Sequence, residues 1–315
     1  MGHPFTPGRR NTSMMVGMST LDYDVVVVGA GNGGLSAAAL LKRRGCRDVA
    51  LVEPSPVHVY KPLQNYVGVG LGEISELERF QADLIPAGGA LAPDERDASR
   101  PGERFGALCR RDDGERSRSA ACAWCEDQLG RHTPRPRSLR SETTVTAVAG
   151  GNALMLHGPA GPERLPADLI HLHPPYVAPD FVAASGLDAD GTKGFIAVDP
   201  ATLRHRTFRR VWGVGDACDL GDARTGGALR HQVKIVIDNI QRSRRGLPLS
   251  HYDGYTVAPI ATARGELSFG EYDRQFRVHR SLPVADEITA RRAWWWLDRY
   301  ALPQIYWHRI IKGRL

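Results

Sequence analysis

A chain of 315 residues, 42% hydrophobic and 7% aromatic, is long enough for two compact domains and too apolar to remain disordered. Its formal charge of +6 and pI near 9.2 suit an acidic partner, whether nucleic acid, an anionic membrane surface or a phosphate-bearing cofactor, and charge alone does not choose among them. The five cysteines, Cys46, Cys109, Cys122, Cys125 and Cys218, are scattered and no secretion signal precedes them, so reduced thiols are expected. No stretch approaches the roughly 18 apolar residues of a membrane span, so any membrane contact is expected to be peripheral.

Residues 1–20 read as a flexible tail. Val25 to Val28, four β-branched residues, predict a strand running into Gly29; a helix from Leu35 to Arg44, closed by Gly45, and a second strand from Val49 to Val52 ending at Glu53 follow. From Ala87 to Arg140 the chain is rich in arginine and lacks valine, isoleucine and tyrosine, which predicts irregular structure. Thr143 to Val148 and Ala153 to His157 predict antiparallel strands around Gly150-Gly151, with a further strand at Asp168 to His171. Strands are also expected at Phe195 to Val198 and Val211 to Val214. A helix should start near Gly226, with Leu229, Val233, Val236, Ile237 and Ile240 on its apolar face. A hairpin of Thr256 to Ala263 and Glu266 to Tyr272 should turn at Arg264-Gly265. Residues 291–315 carry aromatic and basic side chains at helical spacing.

Gly29-x-Gly31-x-x-Gly34 follows an apolar strand, opens a helix, and is followed by Glu53 at the end of the next strand, which is the context a dinucleotide fingerprint requires. Gly29 permits the tight turn, Gly31 lets the backbone approach a pyrophosphate, and Gly34 allows the helix to pack closely on the strand. The helix start then presents unpaired N–H groups and the positive end of its dipole to the phosphates. Glu53 suits ribose hydroxyls and disfavours a 2′-phosphate. The run Val211-Trp212-Gly213-Val214-Gly215-Asp216-Ala217 resembles the second FAD signature of two-dinucleotide-fold flavoproteins. That resemblance gives Asp216 a ribityl hydroxyl to bind, and Gly226 and Gly227 a helix start that approaches the flavin. The pair of motifs favours FAD over NAD.

Tyr60-Lys61-Pro62-Leu63-Gln64 with Val67 to Leu71, Thr225-Gly226 before Arg230-His231-Gln232, Tyr252-Asp253-Gly254-Tyr255-Thr256, and Leu302-Pro303 before Tyr306-Trp307 all resemble sulfide:quinone oxidoreductases, over residues 21–86 and 141–315. The resemblance implies a peripheral membrane flavoenzyme that oxidises sulfide through a cysteine disulfide, passes two electrons through FAD and reduces a quinone. It implies an α/β fold: a Rossmann-like, doubly wound FAD domain in two segments (21–86 and 195–250) around an arginine-rich piece (87–140) and a truncated second dinucleotide-like domain (141–194), then a C-terminal hairpin and amphipathic helices (251–315). The expected location is cytoplasmic, peripheral on the inner face of the membrane.

The chain departs from that family in its middle, where residues 87–140 replace most of a domain that needs βαβ units of about 30 residues or more. This leaves open a remnant that binds FAD or membrane without catalysis. A NADH:quinone reductase is a further alternative, although no second glycine fingerprint follows a strand. Cys218, one residue later than the redox cysteine of many relatives, and His231, as a proton relay to quinone, are the candidate catalytic residues. A half-buried thiol is the favoured reading of Cys218, whereas for His231 a capped surface histidine stands even with the relay. Cys122-Ala-Trp-Cys125 has dithiol spacing without βα context, and His171 and His173 are two ligands short of a metal site, so no metal is expected. The C-terminal aromatics suit either a membrane surface or packing on the domain; they accompany no nucleic-acid fold motif, so nucleic acid is not an expected partner.

Overall fold

The computed structural model describes residues 12–16, 19–86, 90–92, 142–167, 170, 177–221, 224–275, 277–279 and 288–314. Strands β1 (Thr12–Val16) and β2 (Ser19–Tyr23) pair antiparallel, Val16 opposite Ser19, where the sequence suggested a flexible tail. Apolar residues at Met14, Met15, Val16 and Leu21 give these short runs strand character that their place at the chain start disguised.

Strand β3 (Val25–Val28), helix α1 (Asn32–Arg43) and β4 (Val49–Val52) form the expected parallel unit, with Val25 opposite Val49 and Val28 opposite Val52. Helix α1 forms because an Ala- and Leu-rich stretch places Leu35, Ala38 and Leu41 on one buried face. Each fully buried leucine contributes about 2 kcal/mol. Gly45, at φ +88°, ends it. The short pair β5 (Val57–Val59) and β6 (Glu78–Phe80) follows, antiparallel. A third parallel strand, β7 (Ala90–Ala92), lies beside β4, giving the order β3-β4-β7. It falls within the arginine-rich segment, of which Ala90 to Ala92 are therefore regular; Ala-Leu-Ala carries none of the arginines. Residues 93–140 lie outside the described residues.

Strands β8 (Thr144–Ala149) and β9 (Ala153–Gly158) pair as expected, turning at Gly150 and Gly151, both at positive φ. A third strand, β10 (Gly161–Pro166), adds to β9. Two prolines and two charges hid it, and an edge position tolerates them. Of the strand expected at 168–171, only Ile170 is among the described residues.

Phe195 to Val198 and Val211 to Val214 do not form strands. They make isolated bridges, Ile196 with Cys218, Val198 with His205 and Arg204 with Trp212, and other backbone bonds run to loop residues, as where Ala197 N–H donates to Leu187 O at 2.9 Å. Helix α2 (Gly226–Arg244) begins on Thr225, whose hydroxyl accepts from the Ala228 amide. Strands β11 (Thr256–Ala263) and β12 (Glu266–Tyr272) form the hairpin, and Gly265 supplies its φ of +73°. The C-terminal segment is helical from Arg292 to Ile310, with π-type turns at Leu297–Ala301 and Tyr306–Ile310. One apolar core joins α1, β4 and α2 to Tyr306, Trp307 and Ile311, so the end of the chain folds back on the parallel unit.

Candidate FAD site

The first glycine turn is open where a ligand has to come close and filled where it does not. Gly29 takes φ +87°, and its amide donates to Val52 O at 2.8 Å. A Cβ on Gly34 would lie 1.7 Å from Gly29 O, so glycine is required there. A Cβ on Gly31 would meet nothing within 4 Å. Helix α1 starts at Asn32 with no side-chain cap and no acidic residue in its first turn, which leaves its leading N–H groups available to phosphate oxygens. Glu53 stands beside the turn: its Oε2 accepts from the Ala30 amide at 2.7 Å and its Oε1 from the Ser55 amide at 2.9 Å. A carboxylate oxygen accepts more than one hydrogen bond, so both retain capacity for ribose hydroxyls. These residues fit a dinucleotide.

The second motif lies against the first. The α-hydrogen side of Gly33 faces Val214 and Leu229, each 3.1 Å from where a Cβ would stand. Gly215 takes φ +73°, and its amide donates to Oε1 of Gln232, a fully buried side chain on α2, at 2.8 Å. Asp216 is half exposed, with Lys61 Nζ 3.7 Å from its Oδ2. Gly226 opens onto free space, as expected of a helix start meant for a ligand. Gly227 differs: a Cβ would lie 1.9 Å from Val257 Cγ1, so the close approach it permits is to β11.

Cys218 is fully buried behind Gly213, and burial pushes its thiol up to about 12. That is the reverse of what a thiolate nucleophile needs. Cys46 is also buried and pushed up to about 11, by burial and then by Asp24. Cys109, Cys122, Cys125, His171 and His173 lie outside the described residues. His231 stacks on Tyr255, ring centroids 4.2 Å apart, and burial, then Arg230, lowers its pKa below 6.5, so it is neutral near pH 7.

The C-terminal aromatics divide. Tyr306 and Trp307 are buried, Tyr306 on Tyr60 with centroids 4.4 Å apart, while Trp296 and Tyr300 are exposed. A cleft of about 390 Å³ lies between Leu71, Arg264, Arg292, Trp295 and Trp296. Arg299, one of the basic residues of this C-terminal segment, is buried, with its guanidinium forked on Glu76 at 2.7 and 3.0 Å.

Residues 24–60 match the model of the FAD binding domain family. The cofactor is FAD. The sulfide:quinone oxidoreductase of Dictyostelium discoideum mitochondria is 25% identical over 394 aligned positions, covering 92% of this chain and 86% of that protein. The chain resembles sulfide:quinone oxidoreductases along nearly its whole length. Because 394 positions exceed the 315 residues present, at least 79 positions of that alignment carry no residue of this chain. Among solved structures, the sulfide:quinone oxidoreductase of Aquifex aeolicus superposes with a TM-score of 0.64 at 13% identity, covering 92% of this chain and 91% of that one. A chain of the Tetrahymena thermophila mitochondrial ATP synthase assembly gives 0.65 at 14%, covering 93% and 96%. At such identities the superpositions show the fold alone.

Sequence reasoning missed two residues at the site, His58 and Gln81, and noted Tyr306 only as part of a motif. His58 and Gln81 reach the Ala30 carbonyl and Tyr306 reaches His58, from 28, 51 and 248 residues away in the chain. No local pattern marks such partners. Gln232 was noted only as part of a motif, without its role under Gly215.

Proposed function

We propose that this chain is an FAD-dependent oxidoreductase that takes two electrons from sulfide, or another small sulfur nucleophile, and delivers them to a quinone. The observation that carries it is the contact of the two flavin-binding segments, with Gly33 packed against Val214 and Leu229, in a chain that aligns throughout with sulfide:quinone oxidoreductases. Gly29, Gly31 and the α1 start would hold the pyrophosphate, Glu53 the adenosine ribose, Asp216 the ribityl chain, and Gly226 the approach to the flavin. FAD, when bound, supplies the two-electron chemistry. His231, neutral and half-buried, is the proposed proton carrier for the quinone.

The division into two FAD segments, 21–86 and 195–250, around a shortened middle belongs to this proposal and rests on the two flavin motifs, Gly29 to Gly34 and Val211 to Ala217, that the segments carry. Membrane contact is proposed for the exposed Trp296 and Tyr300 and the cleft beside them; among the described residues no helix is long and apolar enough to cross a membrane. Replacing both aromatics by serine should weaken cosedimentation with liposomes, and undiminished binding would exclude this surface.

The burial of Cys218 favours a second reading, in which the chain binds FAD but has lost the sulfide step. The visible spectrum of the purified protein, before and after anaerobic sulfide, separates the two. Bleaching of a flavin spectrum supports the enzyme. A yellow protein indifferent to sulfide supports the FAD-binding remnant, and bleaching by NADH instead would point to a NADH:quinone reductase.

A further inference from the structure

The backbone of Ala30, between Gly29 and Gly31, is held on both sides by side chains from distant parts of the chain. Its amide donates to Glu53 Oε2 at 2.7 Å, and its carbonyl lies 3.1 Å from His58 Nδ1 and 3.3 Å from Gln81 Nε2. A carbonyl only accepts, so Nδ1 of His58 carries the hydrogen and Nε2, in the neutral ring, is an acceptor. The group that meets Nε2, at 2.5 Å, is the Tyr306 hydroxyl. The result is two arms that meet at one residue: the Tyr306 hydroxyl to His58 and His58 to the Ala30 carbonyl on one side of its α-carbon, and the Ala30 amide to Glu53 on the other. His58 is 3% exposed and Tyr306 also 3%, so no water competes for either ring. Burial lowers the His58 pKa, in keeping with the neutral tautomer. Tyr306 is fixed by its rings on Tyr60 and Trp307, and Trp307 in turn by Arg79, 4.9 Å above it.

We propose that Tyr306 and His58 are positioning residues for the cofactor: docking of the C-terminal helical segment orients the Ala30 peptide and, through it, the Glu53 carboxylate, so that FAD retention is set from the far end of the chain. The two bonds of the Tyr306–His58–carbonyl arm polarise one another in a low-dielectric interior, and the constraint reaches Glu53 through the backbone conformation of Ala30, which both arms hold. This inference rests on FAD being the cofactor and is independent of the sulfide and quinone assignments.

The test is FAD titration of the full-length apoprotein, followed by quenching of flavin fluorescence. Tyr306→Phe removes one hydroxyl and leaves the ring packing, and should weaken the FAD Kd by about fivefold. His58→Asn keeps a donor for the Ala30 carbonyl, but its shorter side chain leaves no acceptor where Nε2 meets the Tyr306 hydroxyl. In that background Tyr306→Phe should have no further effect, a non-additivity that two independent packing defects would not produce. Tyr300→Phe, an exposed hydroxyl on the same segment, should bind FAD as the parent does. An unchanged Kd in Tyr306→Phe, or additive effects of the two substitutions, would overturn the proposal. If His58→Asn does not fold, or the parent takes up no FAD, amide exchange at Ala30 in the Tyr306→Phe apoprotein decides: faster exchange retains the relay and unchanged exchange removes it.

Discussion

The two glycine turns that face the proposed flavin site use glycine for opposite reasons. At the first, the space beside Gly29 and Gly31 is empty to 4 Å. At the second, the space is occupied by the chain's own side chains: Cys218 Sγ lies 2.4 Å from where a Cβ on Gly213 would stand, and Leu229 Cδ2 lies 2.9 Å from one on Gly215. The first turn is shaped to admit a ligand and the second to pack. Their anchors differ too, since the first is held by an imidazole and a carboxylate, His58 and Glu53, and the second by the amide side chain of Gln232. The same residue type in two similar-looking motifs therefore carries different physical demands, and the neighbours decide which.

Substitutions can break this comparison. The largest effect is expected at Gly34, where a Cβ would strike the Gly29 carbonyl; Gly34→Ala should cost about 3 kcal/mol in chemical denaturation, because backbone has to move. A variant as stable as the parent would mean that the turn is not held as described. Next is Gly213→Ala, expected to cost about 2 kcal/mol through overpacking against Cys218 and Val198. Adding Cys218→Ala should restore part of that loss, and no rescue would show that the sulfur is not the obstacle. Gly31→Ala should change stability by less than about 1 kcal/mol yet weaken FAD binding about tenfold, equivalent to about 1.4 kcal/mol. Equal losses of stability and affinity would erase the distinction between the turns.

The smallest effect is on pH dependence. Burial holds the folded-state pKa of His58, and likewise of His231, below 6.5, whereas the unfolded chain takes up these protons near 6.5. The stabilisation is therefore complete above pH 6.5 and declines as pH falls through the lowered folded values. Denaturation midpoints at pH 7.5, 6.5 and 5.5 should fall in that order, and His58→Asn should flatten the decline. A flat profile in the parent would contradict a buried neutral His58.

Much of the fold was legible because it rests on short-range pattern. Val25 to Val28 is a β-branched run and Val49 to Val52 a short apolar one, with a helix of crossover length between them and glycine at the turn, so their pairing follows. The hairpin at Arg264-Gly265 follows from two alternating runs and one residue able to take positive φ. Phe195 to Val198 and Val211 to Val214 have similar composition and form only bridges, since a strand needs a partner of matching length alongside, and sequence does not show whether one is there. β7 was hidden by the arginines that follow it, and β10 by its prolines.

The sequence alone determined the dinucleotide turn, its FAD preference, helix α2 with its glycine start, and the likeness to sulfide:quinone oxidoreductases, all of which depend on residue type at fixed spacing. Only the tertiary structure decided that Cys218 is fully buried, that Gly227 serves β11, that Arg299 is locked on Glu76, and that Tyr306 turns inward to His58. Each depends on burial and on a partner far away in the chain, and neither is encoded in the spacing of neighbouring residues.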